Sequence, residues 1–265
     1  MRKITDIQEL RSIQMGILDD VHQYCMEHGL TYFLSSGTLI GAVRHQGYIP
    51  WDDDIDIYMP RKDYEQFLRT FKDKTGNYRV LAPSVSESTG SDAYYYTFAK
   101  VIDTRTLMVE KETKGFEIGV FMDIFPVDYV TDNMQERERV FKQKKLLYKI
   151  RRCKISNSNP LQSRLAYIVY KCWPMTVKQI ERKIQRLIVL QKPTHTVCNM
   201  TEAGPGIKGC FPADDIAAMV DIEFEGKLYK TMVGYKDYLT RTYGDYMTLP
   251  PLEQRVTHHF EAYWL

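Results

Sequence analysis

Apolar side chains near the N-terminus recur at the spacing of a helix with one buried face. The pattern runs through residues 5–28, with apolar positions at Ile7, Leu10, Ile13, Ile17 and Val21. Thr5 has Gln8 three residues after it, which is the spacing of a capping box. The pattern therefore predicts a helix over residues 5–28 with Thr5 as its N-cap.

Shorter apolar runs follow this helix, and their lengths are typical of β-strands. They predict strands at 31–35, 54–59, 78–81, 94–103, 106–110 and 117–125. Pro60 suits the first position of a helix, so we expect a helix directly after the second strand. Small strands with flanking helices predict an α+β fold, close to α/β, built on a mixed sheet.

Charge is distributed unevenly along the chain. Residues 131–192, where the apolar pattern is helical, contain 16 Lys and Arg against 4 Asp and Glu, whereas the other residues contain 20 against 30. The net charge of +2 therefore conceals a segment of +12 and a remainder of −10. We predict a core over 1–130, a basic helical insert over 131–200 and a C-terminal segment over 201–265 that packs back on the core.

The cations of the insert lie among apolar residues. They include Lys142, Lys144, Lys145, Lys149, Arg151 and Arg152. Such a face attracts polyanions or anionic lipid head groups, and a solvated helix face is the simpler alternative. The apolar residues within 168–174 would either extend a membrane contact or belong to the core. Nucleic acid is a rival partner for the same charge, but we find no recognised nucleic-acid motif and expect no such binding.

The chain shows no sign of export or membrane insertion. No apolar run approaches the ~18 to 20 residues that a membrane span needs, and residues 1–6 lack the apolar stretch of a signal peptide. Five cysteines without metal-ligand spacing indicate free thiols in a reducing compartment. These observations predict a cytoplasmic protein.

Four carboxylates are concentrated within residues 52–56. Strand alternation places Asp54 and Asp56 on one face, while Ile55 and Ile57 point to the other face and into a core. A solvated acidic loop is the alternative, but such a loop has no need of the interleaved isoleucines. Two adjacent carboxylates suit Mg²⁺, which binds protein carboxylates together with substrate phosphates.

Phosphate-friendly groups precede these acids. Gly37 and Thr38 follow one apolar run and open another, which predicts a strand, a tight turn and a short helix whose first N–H groups could face an anion. Arg44 and His45 lie between this turn and the acids, where they could reach a diphosphate. Trp51 directly precedes the acids and is a candidate for binding a quaternary ammonium group.

Two further charged residues interrupt apolar strands. Asp123 lies within the apolar run 120–125, where an unpaired acid is costly, so we expect it to bind metal or accept a proton. Asp128 is a weaker candidate for a site residue, and it would either cap a helix or orient a neighbouring side chain. Lys100 is a lone cation in the run 98–103, and we weigh a phosphate contact equally against an edge residue that extends into solvent.

These motifs together resemble the LicD family of the nucleotidyltransferase superfold. The stretch GTLIGAVRHQGYIPWDDDIDI at 37–57 matches the family pattern almost residue for residue. Further matches lie at 121–128, 224–226 and 243–247, with Pro250, Pro251 and His258 after them. The resemblance thus covers both ends of the chain. It does not extend through about 130–200, and residues 232–234 lack the proline that the family pattern has there.

The resemblance implies transfer of phosphocholine from CDP-choline to a hydroxyl of a cell-surface glycan precursor, of the teichoic acid or lipopolysaccharide type, with release of CMP. It implies Mg²⁺, with Mn²⁺ as a substitute, held by Asp54, Asp56 and Asp123, and developing charge supported by Arg44. It further implies a lipid-linked acceptor and peripheral contact with the inner membrane leaflet. The residues expected to bind substrate are Gly37, Thr38, His45, Trp51, Lys100 and His258.

Other functions remain open at the level of sequence. CDP-ribitol and CDP-glycerol share the diphosphate that these motifs would hold, so a ribitol or glycerol phosphate could be transferred instead. Nucleotidyl transfer from a nucleoside triphosphate to a sugar phosphate or another small acceptor would use the same metal geometry. A non-catalytic scaffold is disfavoured because it has no physical need for three acids in apolar surroundings.

Overall fold

The computed structural model describes residues 1–83, 94, 96–109, 118–156, 161, 163–190, 192–201, 206–255 and 261–265. Seven α-helices and twelve β-strands lie within these residues, so the predicted α+β class is confirmed. The helices are α1 (Ile7–His28), α2 (Ser36–His45), α3 (Arg61–Thr70), α4 (Met134–Ile155), α5 (Arg164–Lys171), α6 (Val177–Ile188) and α7 (Tyr235–Tyr243).

The strands form three sheets. They are β1 (Arg2–Ile4), β2 (Phe33–Leu34), β3 (Asp56–Pro60), β4 (Tyr78–Leu81), β5 (Ala99–Asp103), β6 (Thr106–Met108), β7 (Phe121–Val130), β8 (Thr196–Asn199), β9 (Cys210–Pro212), β10 (Met219–Phe224), β11 (Lys227–Met232) and β12 (Ala262–Trp264). The largest sheet runs β2-β3-β7-β5-β4, with β8 beside β7 and β9 beside β8. The smaller sheets are β1-β12-β6 and the hairpin β10-β11.

Strand β7 organises the main sheet. It pairs in parallel with β3, antiparallel with β5 along its first half and antiparallel with β8 along its second half. Eight of its ten residues are buried, which explains why its sequence is apolar almost throughout. The sequence predicted this strand over 117–125, but it runs to Val130 because pairing with β8 continues it past Pro126.

The N-terminal helix α1 lies as predicted, but its cap differs. Leu10, Ile17 and Val21 have no exposed surface and form its buried face. The N-cap is Asp6, whose Oδ1 accepts a hydrogen bond from the Gln8 N–H at 2.9 Å. The prediction of Thr5 was therefore wrong by one residue. A carboxylate at this position also interacts favourably with the helix dipole.

Strand β3 begins at Asp56, two residues later than predicted. Ile55 and Ile57 are fully buried, as the alternation predicted, whereas Asp54 and Asp56 are only half-buried. The Pro60 prediction was also off by one position, because Pro60 ends β3 and caps α3 rather than occupying its first turn. Predicted strands at 94–103 and 106–110 are shorter in the described residues, at 99–103 and 106–108.

The insert has a hydrophobic cluster of its own. Helices α4 and α6 meet through Leu147, Ile150, Ile180 and Ile184, and the cluster continues to Val130 at the end of β7. The basic residues of α4 do not form one solvated face, which was the simpler alternative weighed from sequence. Lys144 and Arg151 are buried, with 5% and 2% exposure, whereas Lys142, Lys145 and Lys149 face solvent.

The last described residues return to the beginning of the chain. Strand β12 lies between β1 and β6 and pairs antiparallel with both. Its Ala262 packs with Ile4 and Leu10 in a third apolar cluster. The division of the chain into three segments stays a prediction. The pairing of β12 with β1 and β6 does show that the C-terminal strand packs on the N-terminal core. Across the described residues, no helix is long and apolar enough to cross a bilayer.

An ion pair fixes α3 to β7. Arg61, the first residue of α3, donates from Nε and Nη2 to the two carboxylate oxygens of Asp128, both at 2.7 Å. Asp128 is 1% exposed, so it orients a neighbour, which is one of the two roles weighed for it from sequence. The bidentate geometry compensates for burying both charges.

We predict that Asp128→Ala lowers the free energy of unfolding by about 3–5 kcal/mol, because the Arg61 guanidinium is left mostly buried without its partner. Urea denaturation monitored by circular dichroism measures this loss. Glu65→Ala, which removes the exposed pair with Arg69 at 3.9 Å, is the control and should cost about 1 kcal/mol or less. Equal losses in the two variants would contradict the prediction.

Candidate active site

Two acids and a lysine lie side by side on three neighbouring strands. Asp56 of β3 is opposite Asp123 of β7, and Asp123 is opposite Lys100 of β5. Side chains of residues opposite each other in a ladder project from the same face of the sheet. The row of Asp56, Asp123 and Lys100 therefore crosses the middle of the main sheet, as far as possible from its edges.

Lys100 and Asp123 form a buried ion pair. The Lys100 Nζ lies 2.7 Å from the Asp123 Oδ1 and only 3.3 Å from the Phe121 ring centroid. Burial raises the pKa of Asp123 to about 6, against the opposing effect of Lys100. Burial likewise lowers the pKa of Lys100. Lys100 is 2% exposed on an interior strand, so the alternative of an edge residue that extends into solvent was wrong.

The acids before β3 are close enough to share a proton. Asp52 is hydrogen-bonded to the side chain of Asp54, and burial together with the charge of Asp54 raises the pKa of Asp52 to about 8. Burial, followed by the charges of Asp54, Asp123 and Asp52, raises the pKa of Asp56 well above its ordinary value. These four carboxylates thus form one electrostatically coupled group that a cation would stabilise.

Helix α1 holds the loop that carries these acids. Arg11 donates from Nη2 to the carbonyl oxygens of Ile49 at 3.0 Å and Asp52 at 2.7 Å. The buried Gln14 donates from Nε2 to the Asp53 carbonyl oxygen at 2.7 Å and accepts from the Tyr48 hydroxyl at 3.1 Å. Because side chains satisfy these carbonyl groups, residues 49–53 need no strand partner.

The tip of the β10-β11 hairpin holds the same loop from the other side. The Glu225 N–H donates to the Gln46 carbonyl oxygen at 2.9 Å, and its Oε1 accepts from the Tyr48 N–H at 2.9 Å. Glu225 and Gly226 connect the two strands, and both have a positive φ, 52° and 73°, as a two-residue type I′ hairpin turn requires. The sequence match at 224–226 therefore corresponds to a support for the loop of the acids.

The turn before α2 packs directly against the acids. Thr38 accepts from the Asp56 N–H through its Oγ1 at 2.8 Å, which fixes the start of β3. A side chain at Gly37 would place its Cβ 2.5 Å from the Asp52 Oδ2, so any larger residue there would displace the Asp52 carboxylate. The predicted strand, turn and helix are confirmed as β2 and α2. The first residues of α2, Gly37 and Thr38, contact the acids directly.

A group of cations lies at the other end of α2. Arg44 donates from Nε to His45 Nε2 at 3.0 Å and from Nη1 to the Tyr246 carbonyl oxygen at 2.6 Å. Burial and the charge of Arg255 lower the pKa of Arg44. Arg255 also lies over the Trp51 ring, 5.0 Å from its centroid. Burial, and then the charge of Arg44, lower the pKa of His45. A bound anion would relieve this repulsion.

The donor set fits Mg²⁺ only in part. Asp54 and Asp56 offer hard oxygen ligands whose charge Lys100 compensates only in part, and Mg²⁺ is commonly held by two carboxylates plus substrate phosphates. Among the residues that the structure describes, no three His, Cys, Asp or Glu side chains converge as a metal site. Asp123, the predicted third ligand, accepts a hydrogen bond from Lys100 through its Oδ1, and its role as a ligand stays a prediction.

Most of the predicted residues lie in two groups. The structure brings Asp54, Asp56, Asp123 and Lys100 to the acidic group, with Gly37 and Thr38 beside it. Arg44, His45 and Trp51 lie in the cationic group with Arg255. His258 lies outside the described residues. Their roles in substrate and metal binding stay predictions.

Sequence analysis missed Arg11, Gln14, Glu225 and the hydrogen bond of Asp52. Gln14 carried a usable signal, because it is a polar residue between Ile13 and Ile17 on the predicted buried face of α1. Glu225 lay within a recognised motif but without a physical role. Arg11 gave no signal, since an arginine near a helix start is ordinary and its partners are 38 to 41 residues away.

Comparison with known proteins gives the class of this fold and site. The family described as LicD/FKTN/FKRP, nucleotidyltransferase domain, matches residues 29–165. This range contains both Asp56 and Asp123. The chain is also 31% identical, over 278 aligned positions that cover 100% of both chains, to the lipopolysaccharide cholinephosphotransferase LicD of Haemophilus influenzae. The chain is therefore a transferase with a nucleotidyltransferase-type domain.

The full-length match identifies the family more narrowly, and the chain belongs to the LicD family. The resemblance drawn from the motifs is thus confirmed. An uncharacterized protein of Rickettsia typhi is 44% identical over 131 residues, which are 48% of this chain and 38% of that protein. A second, from Rickettsia prowazekii, is 47% identical over 59 residues, or 21% and 22% of the two chains.

We predict that the metal-free protein loses stability as pH rises. Asp52 keeps its proton in the folded state up to about pH 8, whereas the unfolded chain releases it near pH ~4. Between these two pH values the folded state therefore binds more protons than the unfolded chain, so the free energy of unfolding falls as pH rises. The stabilisation from this proton is lost as pH passes about 8. Asp52→Asn removes this dependence, so its stability relative to wild type should increase between pH ~5 and pH ~9.

Urea denaturation in EDTA across this pH range measures the effect. Asp237→Asn changes an exposed acid on α7 and should follow the wild-type pH dependence. Parallel curves for wild type and Asp52→Asn would contradict the proposed proton on Asp52.

Proposed function

We propose that this protein transfers phosphocholine from CDP-choline to a hydroxyl of a lipopolysaccharide-type glycan, with release of CMP. The observation that carries the proposal is the match over the whole chain to a cholinephosphotransferase. The row of Asp56, Asp123 and Lys100 supports it, because phosphoryl transfer depends on positioned charges rather than on a covalent protein nucleophile.

Asp54 and Asp56 are the residues that would hold Mg²⁺. When bound, Mg²⁺ supplies positive charge that neutralises the diphosphate and the leaving CMP. Arg44 and Arg255 would bind the negatively charged oxygens of the donor, because a guanidinium group can contact two oxygens at once. The mutual repulsion of these two cations in the free protein favours binding of an anion between them.

Asp123 accepts the proton of the attacking hydroxyl. Its pKa of about 6 keeps it deprotonated at neutral pH, and the Lys100 Nζ at 2.7 Å fixes one of its oxygens. The hydroxyl oxygen forms a new bond to the phosphorus that carries choline, and the bond from this phosphorus to the CMP oxygen breaks. The proton moves to Asp123 and CMP takes the electron pair.

The choline group carries a quaternary ammonium that cannot donate a hydrogen bond, so an aromatic face suits it best. Trp51 is our candidate for this contact. Its ring already faces a cation, the Arg255 guanidinium, and it directly precedes the acids. CDP-ribitol and CDP-glycerol lack the ammonium group and would not benefit from this ring.

We predict that CDP-choline with Mg²⁺ raises the melting temperature of wild type but not of Asp54→Asn, because Asp54 is needed to hold the metal on the diphosphate. At 100 times the dissociation constant, the ligand should add about 2.7 kcal/mol. Asp237→Asn, on the surface of α7, is the control and should respond like wild type. Thermal unfolding with and without Mg²⁺ measures both.

The transferred group is tested with CDP-choline labelled on choline or on cytidine. We expect the choline label on the lipopolysaccharide acceptor and the cytidine label in CMP. Stabilisation by CTP or ATP alone, with cytidine label on the acceptor, would make the protein a nucleotidyltransferase. Stabilisation by CDP-ribitol or CDP-glycerol in place of CDP-choline would change the head group only.

We also propose that the protein works at the inner face of the membrane, with α5 in peripheral contact. Leu165, Ile168 and Val169 of this helix are 73%, 56% and 48% exposed. Arg164 and Lys171, at the two ends of the same helix, suit anionic head groups. An apolar face flanked by cations is typical of a helix that lies in the membrane interface.

We predict that Leu165→Ser with Ile168→Ser weakens binding to vesicles of phosphatidylglycerol and phosphatidylcholine, since it removes the apolar face of α5. Co-sedimentation of protein with vesicles measures the bound fraction. Leu228→Ser, at a site on β11 that is 62% exposed, is the control and should bind like wild type. Vesicle binding that is absent in wild type, or unchanged in the double variant, would contradict the membrane contact.

A further inference from the structure

A cavity lies between helices α3 and α6, and we call it the α3–α6 cleft. Its volume is about 600 Å³. Arg61, which lines it, begins α3 after the last residue of β3, whereas Asp56 is the first residue of that strand. At 3.3 Å per residue, the five residues from Asp56 to Arg61 place Arg61 about 16 Å from Asp56 along the strand direction.

Positive charge dominates the lining of this cleft. Two of its residues are acids, Glu65 and Glu181, and six are cations. The cations are Arg61, Arg69, Arg151, Lys178, Arg182 and Arg186. Arg61 is paired with Asp128, and Arg151 with Glu181 at 2.8 Å. Within the described part of the chain, Lys178, Arg182 and Arg186 have no carboxylate within ion-pair distance.

The cations form two facing rows. Lys178, Arg182 and Arg186 are four residues apart on α6, so they share one face at intervals of about 6 Å over about 12 Å. Arg61 and Arg69 lie eight residues apart on α3, which is also about 12 Å. A single small anion cannot contact both ends of either row. An extended ligand with two or more negative groups can.

The floor of the cleft is aromatic and apolar. Tyr64 and Tyr148 line it and are each 4% exposed, and Ile184 and Leu68 lie beside them. Sugar rings present C–H groups that pack well on aromatic faces, whereas a flat bilayer surface cannot reach this depth. Arg151, 2% exposed in the same lining, is equally out of reach of a bilayer.

We propose that the α3–α6 cleft binds a saccharide that carries at least two phosphate groups, as the anionic part of the glycan acceptor. Phosphates are held by the two rows of cations, and the sugar ring packs on the apolar floor, where Leu68 is only partly buried. The assignment to the acceptor rests on the proposed function, but the binding itself does not. The cleft binds a part of the acceptor that lies several sugars away from the reacting hydroxyl. The hydroxyl itself, on another sugar of the same acceptor, approaches Asp123.

The cleft is physically connected to the acids. Arg151 donates from Nη2 to the Tyr94 carbonyl oxygen at 2.9 Å, and the Tyr96 ring lies 4.2 Å from the Lys100 Nζ. Residues 96–100, with Thr97 in the lining of the cleft, therefore join the cleft to the lysine that fixes Asp123. Removing cations from the rim should accordingly raise KM for the acceptor and leave donor binding intact.

The test is isothermal titration with hexose 1,6-bisphosphate, glucose 6-phosphate and inorganic phosphate. We expect wild type to bind the bisphosphate most tightly, and Arg182→Gln with Arg186→Gln to weaken it by about tenfold or more. Arg69→Gln, on the facing helix, should weaken it as well. Lys183→Gln, an exposed cation of α6 outside the cleft lining, is the matched control and should change the affinity little.

The same variants separate this inference from the proposed function. Mg²⁺-dependent stabilisation by CDP-choline should persist in Arg182→Gln with Arg186→Gln, and bisphosphate binding should persist in Asp54→Asn. No bisphosphate binding by wild type, or equal weakening in Lys183→Gln, would overturn the site. Binding of phosphatidylglycerol vesicles or of a single-stranded RNA oligonucleotide through these arginines, without bisphosphate binding, would overturn the choice of ligand.

Discussion

The burial of several carboxylates close to one another is the constraint on which the rest of this structure depends. Burial, with the charges of neighbouring carboxylates adding to it, raises the pKa of Asp52, Asp56 and Asp123. Such a cluster stabilises the fold only if other groups compensate its charge or share its protons. Among the described residues, Lys100 provides positive charge within the cluster, and it is itself buried. A bound divalent cation would complete the compensation.

The second requirement is that the loop of acids be held without a β-ladder. Arg11 and Gln14 of α1 satisfy its carbonyl groups from one side, and Glu225 of the β10-β11 hairpin supports it from the other. The three residues are far from the acids in sequence. Because this loop is already fixed, it loses little conformational entropy when the CDP-linked donor binds. Catalysis can then come mainly from the positioning of the reacting groups.

The basic insert divides its charge between two surfaces. The exposed apolar residues of α5 suit a membrane, whereas the cations of α6 face a cleft with an aromatic floor. The sequence had predicted one basic face over residues 142–152, with the apolar residues within 168–174 as its extension or as part of the core. Lys144 and Arg151 do not belong to such a face, because both are buried on the inner side of α4. Tertiary packing thus separates charges that are uniform along the chain.

The sequence by itself determined the class of the fold, the family and which acids of the motif lie on one face of a strand. Local pattern suffices there, since Ile55 and Ile57 reveal the strand face and 37–57 carries the family motif. Only the tertiary structure decided that Asp123 contacts Lys100, that Asp6 rather than Thr5 caps α1, and where the cleft lies. The physical reason is that pairing register and helix packing join residues tens of positions apart, and periodicity along the chain carries no information about such partners.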